Sequence, residues 1–380
     1  MTDLLRQEIS TQATTVVVKV GTRVLTRSDG RLSEDRIGQL AEELHEVIAS
    51  GRRVALVSSG AVGAGMGRLG LATRPADLAH LQAVAAVGQS VLVEAYERNL
   101  RGFGHHAAQV LLTAEDLEHR TRYLNARNTI LTLMELGAVP IINENDTVSV
   151  EELRTTFGDN DRLAAIVTNL IRAPLLVLLS DVEGLFDGDP RDQKSQLIST
   201  VKRLDKSILA LVRDRVTGLS KGGMASKLEA ARLATKAGEN VIIASGRQPG
   251  ALKRILAGEL VGTLVLAQGQ TLTARKRWIG FTVRPRGYLV LDAGARHAIE
   301  RQGRSLLPIG VVEAVGRFSK GDVVALRDAE GVEFARGLIN YDADEIQQIK
   351  GLKSDEIARI LGNLRPYEEV IHRDNMVVTT

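Results

Sequence analysis

Short apolar runs alternate with helix-like stretches along the first 245 residues of the chain. The runs are 16–20, 53–59, 107–113, 139–143, 173–180 and 240–245. They are continuously apolar rather than alternating between apolar and polar residues, a pattern typical of strands buried on both faces. The chain is therefore predicted to form an α/β fold with a mainly parallel sheet sandwiched by helices.

The first stretch between these runs has helix signals at both ends. Ser33 is a candidate N-cap, and Gly51 ends the stretch. Further helices are predicted over 79–101, 121–136 and 224–237, and after Gly158. In the stretch between Ser33 and Gly51 the apolar residues form one stripe: Ile37, Leu40, Ala41, Leu44, Val47 and Ile48.

The pattern changes near residue 270. From Arg275 onward, short apolar runs are separated by Gly, Asp or charged turns, which predicts small antiparallel β structure. We therefore predict two domains, 1–270 and 271–380, with the segment 271–279 as the linker. The apolar runs of the second domain are 287–292, 310–316, 322–328 and 331–339.

Length and composition restrict the class of protein. A chain of 380 residues is too long for one compact core. Its net charge is only +3, so the charge balance does not demand a nucleic acid or an anionic membrane as partner. It has no cysteine, which excludes disulfides, thiolate catalysis and cysteine metal sites. With no signal-peptide core and no run of eighteen apolar residues, the cytoplasm is the expected compartment.

Lys19 interrupts the first apolar run and is followed closely by Gly21 and Thr22. A lysine inside a strand is costly to bury unless an anion meets its ammonium group. A lone lysine in such a place more often lies near a strand end and reaches solvent. The residue by itself therefore leaves a solvated lysine and a ligand-binding lysine both open.

Two glycine-rich segments are candidates for phosphate binding. The segment 65–70 matches G-x-G-x-x-G only weakly, because it lies past the strand end and no acidic residue follows at the required distance. A helix-packing loop is the alternative for Gly67 and Gly70, whereas the glycine of Ser59-Gly60-Ala61 directly follows a strand. In the segment 218–227, Gly222-Gly223 can form an anion-binding nest beside Lys221 and Lys227, or a mobile surface turn.

Acidic and amide residues cluster in the segment 142–161. No cysteine or histidine accompanies them, which argues against a zinc site. The set suits recognition of an ammonium group and placement of lysines or Mg²⁺, although some members are expected to be turn residues. They are Asn143, Glu144, Asn145, Asp146, Asp159, Asn160 and Asp161.

Together these segments resemble the amino acid kinase family. The motifs, in family order, are "VVKVGT", "SSGAVGAG", "LNARNTI", "INENDTV", "FGDND", "LLSDVEGLF" and "KGGMASK". The later segments "GRSLLPIG" (303–310) and "FSKGDVV" (318–324) resemble the PUA domain that many such kinases carry at the C-terminus. Nothing is carried over for the loop 148–156, whose length varies in the family.

The resemblance is to those family members that use ATP to phosphorylate the side-chain carboxylate of L-glutamate, and it implies the same activity here. The product would be L-glutamyl 5-phosphate, the first intermediate of proline biosynthesis. The resemblance further implies Mg²⁺ with ATP, feedback inhibition by proline, and a homo-oligomer, either a dimer or a tetramer. Glutamyl phosphate reductase, which consumes the product, is an implied partner.

The resemblance also implies roles for individual residues. Lys19 and Lys227 would be catalytic, with Asp161 holding both in place. Ser59, Asp146 and Asn160 would bind glutamate. No metal ligand is assigned to the protein. The ATP-binding residues would be Lys19, Gly21, Ser180, Asp181, Lys221, Gly222, Gly223, Met224, Ala225, Ser226 and Lys227.

Two other functions stay open. Another member of the family would phosphorylate aspartate, acetylglutamate, carbamate or UMP, although "INENDTV" and the PUA-like segment favour glutamate. An RNA-binding function is the second alternative, because PUA domains elsewhere bind RNA. Residues 275–374 contain 17 Lys and Arg against 15 Asp and Glu, a balance that does not favour RNA as a partner.

Overall fold

The computed structural model describes residues 3–27, 29–149, 159–192, 194–213, 223–268, 272–361 and 367–379. The chain divides into two compact units, Met1–Thr271 and Leu272–Thr380.

The first unit is built on one sheet. Its described strands are β1 (Thr15–Val20), β2 (Arg53–Ser58), β3 (His106–Leu112), β4 (Ala138–Glu144), β5 (Leu175–Ser180), β6 (Thr200–Val201), β7 (Asn240–Ser245) and β8 (Thr263–Val265). They are ordered β3-β4-β2-β1-β5-β7-β8-β6, and neighbours from β3 to β7 are parallel. Only the β7–β8 pair among these strands is antiparallel. The predicted mainly parallel sheet is confirmed.

The helices of this unit start and end close to the predicted bounds. The described helices are α1 (Leu4–Gln12), α2 (Thr22–Leu25), α3 (Glu34–Ala49), α4 (Ala61–Leu69), α5 (Leu78–Arg101), α6 (Ala114–Glu118), α7 (Arg120–Glu135), α8 (Asp159–Ile171), α9 (Lys206–Arg213), α10 (Gly223–Lys236) and α11 (Ala251–Leu256). Ser33 caps α3 by accepting a hydrogen bond from the backbone N–H of Arg36. Helix α1, which precedes the first strand, is among the described helices that were not predicted.

The two faces of β1 have different partners, and this decides where Lys19 points. Val16, Val18 and Val20 belong to the hydrophobic cluster that includes the buried residues of α3. Because successive side chains of a strand point to opposite faces, Val17 and Lys19 lie on the other side of the sheet. Helix α8 packs against β1, and it begins with Asp159, Asn160 and Asp161. The lysine therefore faces the helix that carries these polar residues.

Helices α4 and α5 cross at very short range. A Cβ atom on Gly65 would lie 1.9 Å from the carbonyl oxygen of Val84, and one on Gly88 would lie 1.8 Å from that of Ala61. Only glycine allows this approach of two backbones. The segment 61–69 is a helix, so the helix-packing loop given as the alternative for Gly67 is wrong. Gly70 ends the helix in the left-handed conformation, with φ of 68°.

Helix α5 is also long and apolar enough, by length and composition, to cross a membrane. Its residues Leu81, Val84, Leu92 and Leu100 are buried, and the helix packs against α3, α4 and β3. Packing inside the fold thus accounts for its apolar positions.

The second unit contains a smaller sheet with its own core. Its described strands are β9 (Gly287–Leu291), β10 (Val311–Gly316), β11 (Val323–Arg327), β12 (Glu333–Leu338) and β13 (Met376–Val378), ordered β10-β9-β11-β12-β13. Its described helices are α12 (Ala274–Arg277), α13 (Ala293–Gln302), α14 (Ala343–Ile349) and α15 (Ser354–Leu361). The predicted antiparallel pairing holds for the β9–β10, β11–β12 and β12–β13 pairs, whereas the β9–β11 pair is parallel, which corrects the prediction there.

The segment predicted as a linker belongs to this second unit. It forms α12 and the start of a π-helical turn, Trp278–Thr282, and Trp278 and Ile279 are buried. The basic residues of the segment indicated a solvated connection. Arg277 is buried as well, so one of these basic residues does not reach solvent.

Candidate active site

The polar residues singled out in the sequence gather at the carboxyl ends of four neighbouring strands. Lys19 lies near the end of β1, Ser59 directly follows β2, Glu144 ends β4 and Ser180 ends β5. These strands are adjacent in the order β4-β2-β1-β5. The carboxyl-end edge of a parallel sheet is where open α/β folds bind their ligands. We call this group of residues the strand-end site.

Asp161 pairs with two lysines at this site. Its Oδ1 lies 2.6 Å from Lys19 Nζ, and its Oδ2 lies 3.0 Å from Lys227 Nζ. Lys19, Asp161 and Lys227 are 5%, 1% and 7% exposed. Ser226 Oγ donates to Asp161 Oδ2 at 3.3 Å, and Lys227 Nζ donates to the carbonyl oxygen of Gly223 at 3.3 Å. Lys19 is therefore a buried lysine with an anionic partner, and it does not reach solvent.

The charges of this trio do not cancel. Burial by itself raises the pKa of the Asp161 carboxyl, but Lys19 and Lys227 more than offset that effect and hold its pKa below the usual range. Burial lowers the pKa of Lys227, and attraction to Asp161 opposes that shift only in part. Two lysines against one carboxylate leave an excess of basic groups in a buried site, which favours an anionic ligand.

Gly21 lies close to the trio, and Gly60 lies just past the end of the neighbouring strand β2. A Cβ atom on Gly21 would lie 3.7 Å from Lys19 Nζ, so any other residue would occupy space beside the ammonium group. Gly60 has φ of 109° and starts α4, a conformation that favours glycine. It directly follows Ser59, whose backbone N–H donates to the carbonyl oxygen of Val20 at 3.2 Å.

A second group of polar residues lies beside the trio. Asn160 Nδ2 donates to Ser59 Oγ at 2.9 Å and to Asn143 Oδ1 at 3.1 Å. Asn143 Nδ2 in turn donates to Gln89 Oε1 on α5 at 2.8 Å. All four side chains are buried. Asn143 was noted in the sequence only as one of a cluster, and Gln89 was missed because nothing in its own helix marks it.

Asp146 lies in the turn that follows β4, and it is buried. The turn is held in place at both ends. The backbone N–H of Asn145 donates to the carbonyl oxygen of Leu112 at 2.9 Å, and Ser149 Oγ donates to a carboxylate oxygen of Glu144. Glu144 thus fixes this turn. Of the loop 148–156, for which no role was predicted, only residues 148–149 are described.

The residues predicted to bind nucleotide lie next to the trio in two groups. Gly223, Met224, Ala225 and Ser226 form the start of α10, and Lys221 and Gly222 lie outside the described residues. At the end of β5, Asp181 accepts a hydrogen bond from Arg23 on α2 at 3.1 Å and one from Ser180 at 3.1 Å. Burial works to raise the pKa of the Asp181 carboxyl, but these bonds hold it below its usual value. Arg23 was not anticipated from the sequence.

Comparison with known proteins gives matches along nearly the whole chain. The model of the amino acid kinase family matches residues 14–245, and that of the PUA domain matches residues 287–361. The glutamate 5-kinase of Rhodopirellula baltica is 50% identical over 374 residues, which cover 98% of this chain and 96% of that protein. The glutamate 5-kinase of Thioalkalivibrio sulfidiphilus is 49% identical over 363 residues, 95% of this chain and 96% of that protein. Among solved structures, the UMP kinase of Bacillus anthracis matches 67% of this chain with 15% identity and a TM-score of 0.47, too low to bear on the acceptor.

Proposed function

The chain belongs to the amino acid kinase family, and we propose that it transfers the γ-phosphoryl group of ATP to the side-chain carboxylate of L-glutamate. The observation that carries this proposal is the pair of buried lysines held by Asp161, beside the amide and hydroxyl groups of Asn160 and Ser59. The relatives named glutamate 5-kinase support glutamate as the acceptor.

The reaction joins two anions, so its main requirement is charge neutralisation. A side-chain carboxylate oxygen of glutamate forms a bond to the γ-phosphorus, and the bond from that phosphorus to the bridging oxygen breaks, leaving the electron pair on ADP. The carboxylate is already ionised, so no general base is needed. Lys19 and Lys227 stabilise the negative charge on the phosphoryl oxygens, and Asp161 keeps the two ammonium groups in place.

Mg²⁺ enters this proposal together with ATP. Within the described ranges, no group of three or more His, Cys, Asp or Glu side chains could hold a metal ion. Both oxygens of Asp161 are taken up by lysines. The phosphate oxygens of ATP and water molecules fit the oxygen preference of Mg²⁺ and would supply its ligands. The ion would add positive charge at the phosphates, and Lys19, Lys227 and Asp161 would keep the roles given to them here.

Asp146, Asn160 and Ser59 are proposed to bind glutamate, and residues 221–227 with Gly21, Ser180 and Asp181 to bind ATP. Glutamate carries an ammonium group, for which the Asp146 carboxylate is a suitable partner. The product is an acyl phosphate that water hydrolyses readily, so the site must exclude water while the bond forms. We further propose residues 1–270 as the kinase domain and 271–380 as the PUA-like domain.

Other features of the proposal rest on the family alone. They are a cytoplasmic enzyme, assembly into a dimer or tetramer, inhibition by proline and delivery of the product to glutamyl phosphate reductase. Proline is expected to compete near the glutamate site. If millimolar proline leaves the rate unchanged at subsaturating glutamate, this regulatory proposal is wrong.

An acceptor panel tests the proposed function. The purified chain is incubated with ATP, Mg²⁺ and one acceptor at a time: L-glutamate, L-aspartate, acetylglutamate, carbamate or UMP. Hydroxylamine traps acyl phosphates as hydroxamates, and ADP release is measured in parallel. We expect ADP release and hydroxamate with L-glutamate alone. Release of ADP with UMP or carbamate and without hydroxamate would replace the proposal with a different member of the family.

A further inference from the structure

Gln89, Asn143 and Asn160 form a buried chain of side-chain amides that leads from α5 to the strand-end site. Gln89 Oε1 accepts from Asn143 Nδ2 at 2.8 Å, and Asn143 Oδ1 accepts from Asn160 Nδ2 at 3.1 Å. The three residues are 7%, 1% and 2% exposed. Such a chain has two directions in principle, because an amide group can be turned by 180° about its last bond.

One backbone group fixes the direction. Asn143 Oδ1 also accepts from the backbone N–H of Glu144 at 2.9 Å. A backbone N–H can only donate, so the Asn143 atom facing it must be the oxygen. The NH₂ group of Asn143 must then face Gln89, and the Gln89 atom that it meets must be an oxygen. On the side toward the strand-end site, the Asn160 atom that meets Asn143 Oδ1 must be the nitrogen.

This direction decides which atom Asn160 turns toward a ligand. Its two N–H groups are directed to Asn143 Oδ1 and Ser59 Oγ. Because both N–H groups are engaged, Asn160 can meet a ligand only through its carbonyl oxygen Oδ1. An oxygen there is an acceptor, which suits the α-ammonium group of an amino acid and would repel a carboxylate.

We infer that Gln89 is a positioning residue for the acceptor substrate. Its Oε1 holds the amide of Asn143, which keeps the Asn160 carbonyl oxygen toward the ammonium group of glutamate. The inference rests on the proposed function. It assigns the effect to one atom, because within the described part of the chain no atom accepts a hydrogen bond from Gln89 Nε2.

The test compares two substitutions that differ in that atom. Gln89→Met keeps the length of the side chain and removes the acceptor, so Asn143 Nδ2 loses its partner and the amide chain can turn. We expect the KM for glutamate to rise about tenfold, the effect of one lost buried hydrogen bond, with kcat and the KM for ATP changed less than about twofold. Gln89→Glu keeps an oxygen at the position of Oε1, and its KM for glutamate should stay within about threefold of the wild-type value.

A double variant shows whether Gln89 acts through Asn160. Asn160→Ala removes the amide that Gln89 orients, so adding Gln89→Met to it should change the KM for glutamate by less than about twofold. The control is Gln39→Met, the same change in an exposed glutamine of α3 that accepts from Arg36 at 3.1 Å. Its kinetic constants should equal those of the wild type.

Each result has one meaning. If Gln89→Glu raises the KM for glutamate as much as Gln89→Met does, the oxygen at Oε1 does not carry the effect and the inference is wrong. It is equally wrong if Gln89→Met leaves the KM for glutamate unchanged, lowers kcat instead, or adds its full effect to Asn160→Ala. A failure of the proposed function is seen separately, because the wild-type chain would then form no hydroxamate from glutamate in the same assay.

Discussion

Asp161 Oδ1 lies 2.6 Å from Lys19 Nζ, and both side chains are buried at the carboxyl-end edge of the sheet. The lysine comes from near the carboxyl end of an apolar strand and the acid from the first turn of α8. Each would be costly to bury alone. Because the second oxygen of the same carboxylate is 3.0 Å from Lys227, this single acid fixes the spacing of two ammonium groups.

Replacing Lys19 should affect the chemical step more than binding. Lys19→Ala removes a positive charge from the place where the phosphoryl group becomes more negative, and we expect kcat to fall by roughly 10²–10³. Lys19→Arg should also have a low kcat, because a planar guanidinium cannot replace a compact ammonium group next to Gly21. Steady-state kinetics with both substrates varied measures this. An unchanged kcat in folded Lys19→Ala would remove the lysine from the mechanism.

The matched control is Lys253→Ala. Lys253 is an exposed lysine that also pairs with an acid, Glu46, at 2.8 Å. Exposed pairs of this kind contribute little to stability, so both kcat and folding should be unchanged.

Asp161→Ala should combine a kinetic defect with a loss of stability. The substitution leaves two buried ammonium groups without their carboxylate, which in comparable buried pairs costs about 3–5 kcal/mol. We expect a lower melting temperature and a kcat close to that of Lys19→Ala. ATP at saturating concentration should recover part of the lost stability, because its phosphates supply the missing negative charge. Differential scanning fluorimetry with and without ATP measures this, and equal melting temperatures for variant and wild type would contradict it.

The pH dependence should reflect Lys227. Burial lowers the pKa of this lysine from its ordinary value. As the pH rises through that lowered pKa, the ammonium group loses its proton and the site loses a positive charge. The kcat/KM for ATP, which reports the free enzyme, should therefore fall at a lower pH than an ordinary lysine titrates. Asp161 has a lowered pKa and stays ionised over the same range.

The control for this prediction keeps the charge at every pH used. Lys227→Arg cannot lose its proton, so its affinity for ATP, measured by calorimetry, should not decline on the basic side. A decline of the same size and midpoint in Lys227→Arg would assign the titration to another group.

The crossing of α4 and α5 gives a prediction about folding. Gly88→Ala would bring a methyl group to 1.8 Å from the carbonyl oxygen of Ala61, so the helices must separate. We expect a loss of at least about 1–3 kcal/mol, the usual cost of overpacking. Gly67→Ala lies on the same helix α4, and its nearest neighbour would be an Arg31 side-chain carbon at 3.6 Å. Because alanine favours a helix, this control should stabilise by about 0.5–1 kcal/mol. Similar thermal shifts in both variants would contradict the prediction.

Much of the first unit could be predicted because six of its described strands are marked by their own sequence. The continuous apolar runs predicted β1 to β5 and β7, and the N-cap of α3 was visible in Ser33, whereas the short strands β6 and β8 were not predicted. Contacts between distant segments left no such mark. Gln89 meets Asn143, 54 positions away, and its helix would look the same without that contact.

Two errors have a similar origin. The segment 61–69 is rich in glycine, which usually weakens a helix. It is helical because glycine is what allows α5 to pack so closely, and that neighbour cannot be seen locally. In the segment predicted as a linker, three basic residues outweighed Trp278, which is buried in the second unit.

A truncation should separate the two units. Residues 1–271 contain all the proposed site residues and the hydrophobic cluster around β1 and α3. We expect this fragment to fold alone and to form hydroxamate from glutamate and ATP. The full chain from the same expression serves as control. A soluble fragment with native-like circular dichroism and no activity would show that the second unit completes the site.

Asn160→Ala separates binding of the acceptor from the chemical step. Asn160 donates hydrogen bonds to Ser59 and Asn143, beside the lysine pair. If it holds glutamate equally in the ground state and in the transition state, its removal should raise the KM for glutamate about tenfold or more, with kcat and the KM for ATP near their starting values. The control is Asn99→Ala near the end of α5, where the asparagine donates to the carbonyl oxygen of Ala95 at 2.8 Å. Asn99→Ala should leave every kinetic constant unchanged. A large fall in kcat for Asn160→Ala would instead mean that the amide helps to align the attacking carboxylate, because only an interaction that strengthens in the transition state lowers kcat when it is lost.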